Sequence, residues 1–425
     1  MMIALMFILL AALTLLGMPI AFATGVSSLV FLLYQGIPLN VLSQNIVSGI
    51  DSFTIFSIPF FYLAGELMNF SGITDRIIDM AKALVGHMRG GLAQVNILAS
   101  VFFAGISGSA TADTAALGSI LIPAMKKEGY DAEFSAAITA ASSLIGPIIP
   151  PSIGLVLYGV LAQQPVGKLL AAGILPGFVI AISQMVFTHY YSIRKNYPTS
   201  PRATFKQARR AILRGTPALM MPIIIVVGIL SGVFTPTEAA AVAVLYGFFM
   251  GAVVYHETSL RRTWTLLANV ALNSIKVLLI IAFASMFSWV VTRAQVPTTV
   301  LNALLQLSNN RYVLLGLITL FIFIMGLFMI PSAIQVVVTP ILVPVILKLG
   351  IDPIHFGVLL VFTTGIGSIT PPVGVCLSLA AEIADTSYKD LVKAMIPIYI
   401  PMLIATLIIA YVPWISTFIP DYFLK

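Results

Sequence analysis

Fifty residues pass before the first charge, at Asp51. Further uncharged runs cover 90–112, 134–167, 169–193, 215–237, 239–256, 277–292, 312–347 and 353–381, and 391–420 is broken only by Lys393. A helix needs roughly 20 apolar residues to cross the hydrocarbon of a bilayer, so these runs predict a multi-pass membrane protein. Of the 425 residues 59 % are apolar and 9 % charged, against roughly 25 % charge in an average soluble domain. About ten to twelve spanning or half-spanning segments are expected. Several runs are too long for one crossing and hold Gly and Pro near their middles. Those predict either two crossings or a re-entrant hairpin.

Other classes are disfavoured by what the chain carries. The net charge of +7 is spread between apolar runs, with no aromatic-interleaved basic patch, so nucleic acid is not expected as a partner. The bilayer is. One cysteine, Cys376, excludes an intrachain disulfide. The four histidines are far apart; His256-Glu257 begins like a zinc-protease motif, but Leu260 stands where the second histidine is needed. No G-x-x-x-x-G-K-[ST] loop is present, so ATP is not expected to drive the protein. Residues 1–20 lack a basic n-region and read as a retained helix rather than a cleaved signal.

The two halves repeat at an offset of 221 residues. Gly105 maps to Gly326, Pro123 to Pro344, Lys127 to Lys348, Gly129 to Gly350 and Asp131 to Asp352. Gly146 maps to Gly367, Pro150-Pro151 to Pro371-Pro372 and Pro176 to Pro397. Matched Gly, Pro, Asp and Lys at one spacing indicate an internal repeat. Between the halves lies a basic stretch, 194–214, with seven Lys and Arg and no acid. It reads as a cytoplasmic linker that anionic headgroups could attract.

The first repeat, 1–193, is expected to hold helices at about 1–20, 24–45 and 51–70. An amphipathic interfacial stretch at 72–89 follows, with Ile73, Ile77, Met80 and Leu84 opposite Arg76, Asp79 and Lys82. Then come a hairpin over 91–127 with its tip at Ser107–Thr111, a broken helix over 131–162 and a helix over 168–192. The second repeat, 215–425, is expected to hold helices at 215–233, 237–256 and 271–293 and an interfacial stretch at 297–309. Its hairpin spans 311–348 with a tip at Met329–Ser332. A broken helix over 353–384 and a last helix over 388–415 complete it. Five crossings per half is an odd number, so the second half should be inverted. With the N-terminus outside, sixteen of the 22 Lys and Arg fall on the inner side, as the positive-inside rule requires. The expected fold is an all-helical membrane protein of two inverted repeats with re-entrant hairpins and broken helices.

Helix breaks persist inside a membrane only where protein or a water-filled cavity lines them. Inverted repeats with such breaks mark secondary transporters. Freed carbonyls can coordinate a hard cation such as sodium, and freed N–H groups at half-helix starts can hold a carboxylate. One sodium site is therefore expected in each half. The first would join Gly105, Ser107 and Ser109 to Gly146, Ile149 and Pro151; the second, Gly326 and Ser332 to Gly367, Thr370 and Val373. Asp113 lies in the first turn after the first tip, and suits either a helix start or a solute contact. Its repeat mate is Ile334, so a symmetric ion site does not require it. Thr111 shares that ambiguity, and Ser152 and Thr364 beside the breaks complete the candidate solute contacts. Glu66, Glu238, Lys276 and Arg293 sit within spans or at their ends; the two glutamates read as cap or interface groups.

Gly105-Ile-Ser-Gly-Ser-Ala-Thr-Ala-Asp-Thr114, Gly146-Pro-Ile-Ile-Pro-Pro-Ser152 and Gly365-Ile-Gly-Ser-Ile-Thr-Pro-Pro-Val-Gly374 resemble the large membrane subunit of tripartite ATP-independent periplasmic (TRAP) transporters, the DctM type. The resemblance extends over nearly the whole chain. It implies an elevator transporter of the bacterial inner membrane, in which a domain of hairpins and broken helices moves against a fixed scaffold. It also implies a small four-helix membrane subunit as a separate chain, and a periplasmic substrate-binding protein. The solute would be an organic acid such as sialic acid or a C4-dicarboxylate, coupled to about two or more sodium ions. The alternatives are a stand-alone sodium–carboxylate symporter and an anion channel; an enzyme is not expected.

Overall fold

The computed structural model describes residues 2–70, 73–254 and 260–424, so His256 and Glu257 lie outside the described residues. All regular structure among the described residues is helical. The first half opens with α1 (Met2–Leu15), α2 (Ile20–Tyr34), α3 (Asn40–Ile50) and α4 (Ser57–Phe70). The amphipathic α5 (Ile73–Val85) leads to a hairpin of α6 (Gly91–Ser107) and α7 (Ala110–Lys127). Then follow α8 (Ala132–Ser142), α9 (Ile153–Leu161), α10 (Val166–Ala172) and α11 (Ile174–Lys195).

The second half runs α12 (Phe205–Leu230), α13 (Pro236–Phe249), α14 (Leu260–Arg293) and α15 (Val296–Leu307). Its hairpin is α16 (Arg311–Phe328) and α17 (Pro331–Lys348). The half-helices α18 (Pro353–Gly367) and α19 (Val375–Ala384) precede α20 (Tyr388–Tyr411) and α21 (Trp414–Phe423). The 221 offset carries α7 onto α17 residue for residue.

Seven described helices are long and apolar enough to cross a bilayer, or eight if α3 and the bent segment after it count as one. The half-helices α8 and α9 have 11 and 9 residues. At 1.5 Å per residue each reaches about half of a 30 Å hydrocarbon layer.

The packing is reciprocal. Helix α19 lies on α7, and α9 lies on α17; α13 lies on α4, and α14 on α2. Exchanging the halves converts each member of these pairs into the other, which is the relation of a two-fold axis. One large core holds the hairpins and broken helices. A second joins α1 and α2 to the distal part of α14 and the flank of α17 through Met6, Leu10, Phe31, Phe287 and Val290.

The opening elements depart from expectation. The helix expected over 24–45 is two, because Gly36 takes a left-handed φ of 65° and Pro38 lacks an amide donor. The segment expected as one helix over 51–70 begins as a 3-10 turn, Phe53–Phe56, and α3 meets it at a bend of 58°. Helix α12 starts ten residues before 215. Thr204 accepts from the Gln207 backbone N–H and Gln207 bonds back to the Thr204 N–H, a capping box that recruits half of the basic stretch into the helix. Helix α14 likewise starts at Leu260 rather than 271.

Candidate functional site

The first hairpin turns at Gly108, whose φ of 61° and closeness to Pro151 leave no room for a side chain. A Cβ at Gly108 would overlap the Pro151 carbonyl oxygen, so the tip rests on the first break. Ser107 Oγ donates to Asp113 Oδ1 and accepts from the Ser109 N–H at 3.2 Å. Ser109 Oγ and Thr111 Oγ1 are 3.1 Å apart. Asp113 is fully buried, and its Oδ2 has no hydrogen-bond partner among the described residues. A Cβ on Gly146 would overlap that oxygen. The carboxylate is therefore aimed at the first break.

The elements around that break fix its shape. Ser152 caps α9, accepting from the Leu155 N–H at 3.0 Å and donating to the Pro147 carbonyl. The Ile149 side chain packs on Gly177 of α11, and Gly105 lies against Pro222 of α12, where a Cβ would be 2.6 Å from the proline ring.

The second site is a backbone contact. A Cβ on Gly367 would overlap the Gly326 carbonyl oxygen, so α16 and the end of α18 touch main chain to main chain. The Val373 N–H reaches the Leu327 carbonyl at 3.4 Å. The Thr370 hydroxyl is turned to the Ile366 carbonyl at 2.7 Å, and Thr364 bonds back to Leu360 within α18. Tyr399 on α20 donates to the Ile369 carbonyl at 2.7 Å, steadying the break from outside.

Between the tips lies a cavity of about 290 Å³. It brings together Ser109 and Thr111 of the first tip and Ser332 of the second; Asp113, Ser152 and Thr364 do not line it. Four helix starts reach it: Ala110–Thr111 of α7, Ile153–Gly154 of α9, Pro331–Ser332 of α17 and Val375–Cys376 of α19. Tyr62 of α4 and Val277 of α14 also line it. No charged side chain is among the lining residues. The remaining polar lining comes from Gln335 and Ser368, which the sequence reading did not single out. Ser368 stands inside the second break motif. Gln335 could have been noticed as a break in the repeat, since its mate is Thr114.

A helix start carries the equivalent of roughly half a positive charge plus unpaired N–H groups. Four such starts around one small cavity without a charged lining residue are chemistry that suits an anion, although Pro331 has no N–H and the Cys376 N–H already donates to the Ser368 carbonyl. Glu238 is accounted for otherwise: it accepts from the Thr235 N–H at 2.8 Å in the capping box of α13.

Residues 7–415 match the family described as "Tripartite ATP-independent periplasmic transporter, DctM component". The "Sialic acid TRAP transporter large permease protein SiaM" of Vibrio cholerae is 39 % identical over 409 residues, which cover 96 % of each chain. The "2,3-diketo-L-gulonate TRAP transporter large permease protein YiaN" of Escherichia coli is 36 % identical, over 95 % of this chain and 94 % of that one. The "C4-dicarboxylate TRAP transporter large permease protein DctM" of Vibrio cholerae is 35 % identical, over 98 % and 97 %. Among solved structures the Alcanivorax borkumensis YdaH transporter superposes with a TM-score of 0.64 at 15 % identity, covering 89 % of both chains. That likeness concerns the fold alone.

Proposed function

The chain belongs to the DctM component family of tripartite ATP-independent periplasmic transporters, a multi-pass protein of the bacterial inner membrane, and from that premise we propose that it is the sodium-coupled carrier of an organic acid. The observation that carries the reading is the convergence of four helix starts on one cavity with no charged side chain. A carboxylate there meets N–H donors and helix dipoles at no cost of pairing it with a buried ammonium or guanidinium. The relatives named for sialic acid, diketogulonate and C4-dicarboxylate support an acid as the solute.

Sodium has a place in this scheme at the two breaks. Gly146 to Pro151, with Ser107, Ser109 and Asp113 facing them, offer carbonyl and carboxylate oxygens; Gly326 and Gly367 to Val373 offer carbonyls on the other side. Hard cations take oxygen donors. Because the ion sites and the solute cavity share the same tips, filling one orders the other, which is coupling in thermodynamic terms. The cavity also touches α4 and α14, so a vertical slide of the hairpin block against these scaffold helices would carry solute and ions together. A small membrane subunit and a periplasmic binding protein complete the tripartite assembly.

Reconstituted uptake of candidate acids, with the cognate binding protein and small subunit and an imposed sodium gradient, tests the reading. Uptake that rises with the inward sodium gradient is expected. Uptake indifferent to sodium overturns the coupling, and uptake by this chain alone overturns the tripartite assembly.

A further inference from the structure

The basic stretch between the repeats is held in place along its length. Its first part is fastened around the base of the first hairpin. The Ser200 N–H donates to the Gly86 carbonyl at 3.0 Å, and the Gly91 N–H and the Tyr130 hydroxyl both donate to the Pro198 carbonyl, at 3.3 and 3.1 Å. Its second part is the start of α12, where Gln207, Arg210, Ala211 and Arg214 follow the spacing of one helix face. Helix α5 packs beside α12, with Met80 filling the space at Gly215. These three walls enclose a hollow of about 910 Å³, lined by Arg202, Arg210 and Arg214 together with Lys82. Lys82 is 3.9 Å from Glu128. The three arginines form no ion pair among the described residues, and Asp79, which also lines the hollow, stands outside ion-pair distance of them.

Like charges at i and i+4 of a helix repel, and Arg210 and Arg214 are held that way on a fixed wall. An anion in the hollow relieves the repulsion. A guanidinium offers a planar fork of donors that matches the oxygens of a phosphate two at a time. The volume falls within the range of small-molecule sites, about 300–1,000 Å³, so there is room for more than a bare ion. Arg214 is the last charge before the uncharged run 215–237. The hollow therefore lies at the edge of the hydrocarbon, on the side that the positive-inside rule makes cytoplasmic. On the opposite face of the same turns Phe205 and Ile212 are exposed, which sets these turns against lipid rather than in the cytosol. We propose that this hollow binds the phosphate of an anionic phospholipid of the inner leaflet, and that the bound headgroup clamps α5 to α12. Inner leaflets attract basic segments diffusely; three guanidiniums on fixed walls add a discrete site for one headgroup.

The full-length chain, purified in a neutral detergent and stripped of lipid, is titrated at physiological salt with phosphatidylglycerol, phosphatidylcholine or sn-glycerol 3-phosphate. Unfolding temperature is the readout, and native mass spectrometry counts the lipid retained. Phosphatidylglycerol is expected to raise the unfolding temperature at concentrations where the other two do not. Arg210→Gln combined with Arg214→Gln should raise the phosphatidylglycerol concentration required by about tenfold or more, the size of a lost charge-assisted hydrogen bond. Lys206→Gln combined with Arg209→Gln removes the same charge from the same turns but outside the hollow, and should shift that concentration far less. Arg202→Gln, in the loop before α12, should weaken phosphatidylglycerol as well and decides the matter if the Arg210/Arg214 variant does not fold. Equal shifts from the two double variants, or equal stabilisation by phosphatidylcholine, overturn the site. Stabilisation by glycerol 3-phosphate at the same concentrations overturns the lipid as its occupant. No solute or sodium gradient enters these measurements, so the carrier reading stands or falls separately.

Discussion

Gly326 and Gly367 meet backbone to backbone, with no space for a methyl group between the Gly367 Cα and the Gly326 carbonyl oxygen. Their repeat mates, Gly105 and Gly146, are parted: Gly105 faces Pro222, and Gly146 faces Asp113. The two halves use the same glycines for different contacts. One break is closed by main chain, the other by a buried carboxylate.

Substituting Gly367 by Ala therefore drives a Cβ into a carbonyl that cannot rotate away. Overpacking of this kind costs about 1–3 kcal/mol, and displacement of a binding geometry by an ångström can cost on the order of a hundredfold in rate. Lower thermal stability and an uptake loss of at least about tenfold are expected. Gly365→Ala meets only Leu144, at 3.6 Å, and should unfold at the same temperature as the parent.

Asp113 is the acidic residue that the first repeat carries beside Gly146 and the second repeat replaces by Ile334. Asp113→Asn preserves shape and removes the carboxyl that an ion beside Gly146 would draw into its ionised form, so sodium should half-saturate transport at a concentration raised by about tenfold or more. Ser107→Ala strands Oδ1 as well as Oδ2 and should destabilise the fold by about 1–3 kcal/mol. Sodium titrations of uptake and unfolding scans read the two effects separately. An unaltered sodium dependence in Asp113→Asn would place the carboxylate outside the ion site.

The capping box of α13 offers a contrast far from the cavity. Thr235→Ala removes the side chain that accepts from the Glu238 N–H and should cost about 1 kcal/mol. The measurement is again thermal unfolding, combined with a sodium titration that should not move.

Charge stoichiometry follows from energetics. Moving an anion inward against the membrane potential costs about 2.3 kcal/mol per charge per 100 mV. Two sodium ions give a monoanion one net inward charge, and a dianion none. Transport of a monoanion should therefore carry inward current with two ions, and a dianion should need a third sodium ion or a proton. Current measured together with labelled solute decides, and electroneutral transport of either kind of acid counts against the scheme.

Much of the architecture was legible because its causes are local. Gly108, the Gly146–Pro151 run and the Gly367–Pro372 run break helices wherever they occur, and the 221 spacing doubles the signal. The hairpins fall at 91–107 and 110–127, and at 311–328 and 331–348, close to where the tips were expected. The opening helices were less legible. Gly36 and Pro38 lie in an uncharged run, where composition alone cannot tell a bend within a span from a turn between spans. The charge pattern puts the start of α12 at 215, whereas the capping box at Thr204 and Gln207 sets it at Phe205.

The amino-acid order by itself determined the membrane class, the doubling and the positions of the breaks, since hydrophobic length, repeat spacing and Gly/Pro stereochemistry act over a few residues. Tertiary structure alone decided that Ser109 and Ser332 share a cavity with Gln335, that Asp113 turns to Gly146, and that Ser152 and Thr364 serve their own helices. For the shared cavity and for Asp113 the physical reason is that the pairings join residues from opposite halves or from separate helices. Which of several nearby hydroxyls, amides and carboxylates faces a cavity depends on how packed helices rotate against one another, a quantity that no local pattern encodes.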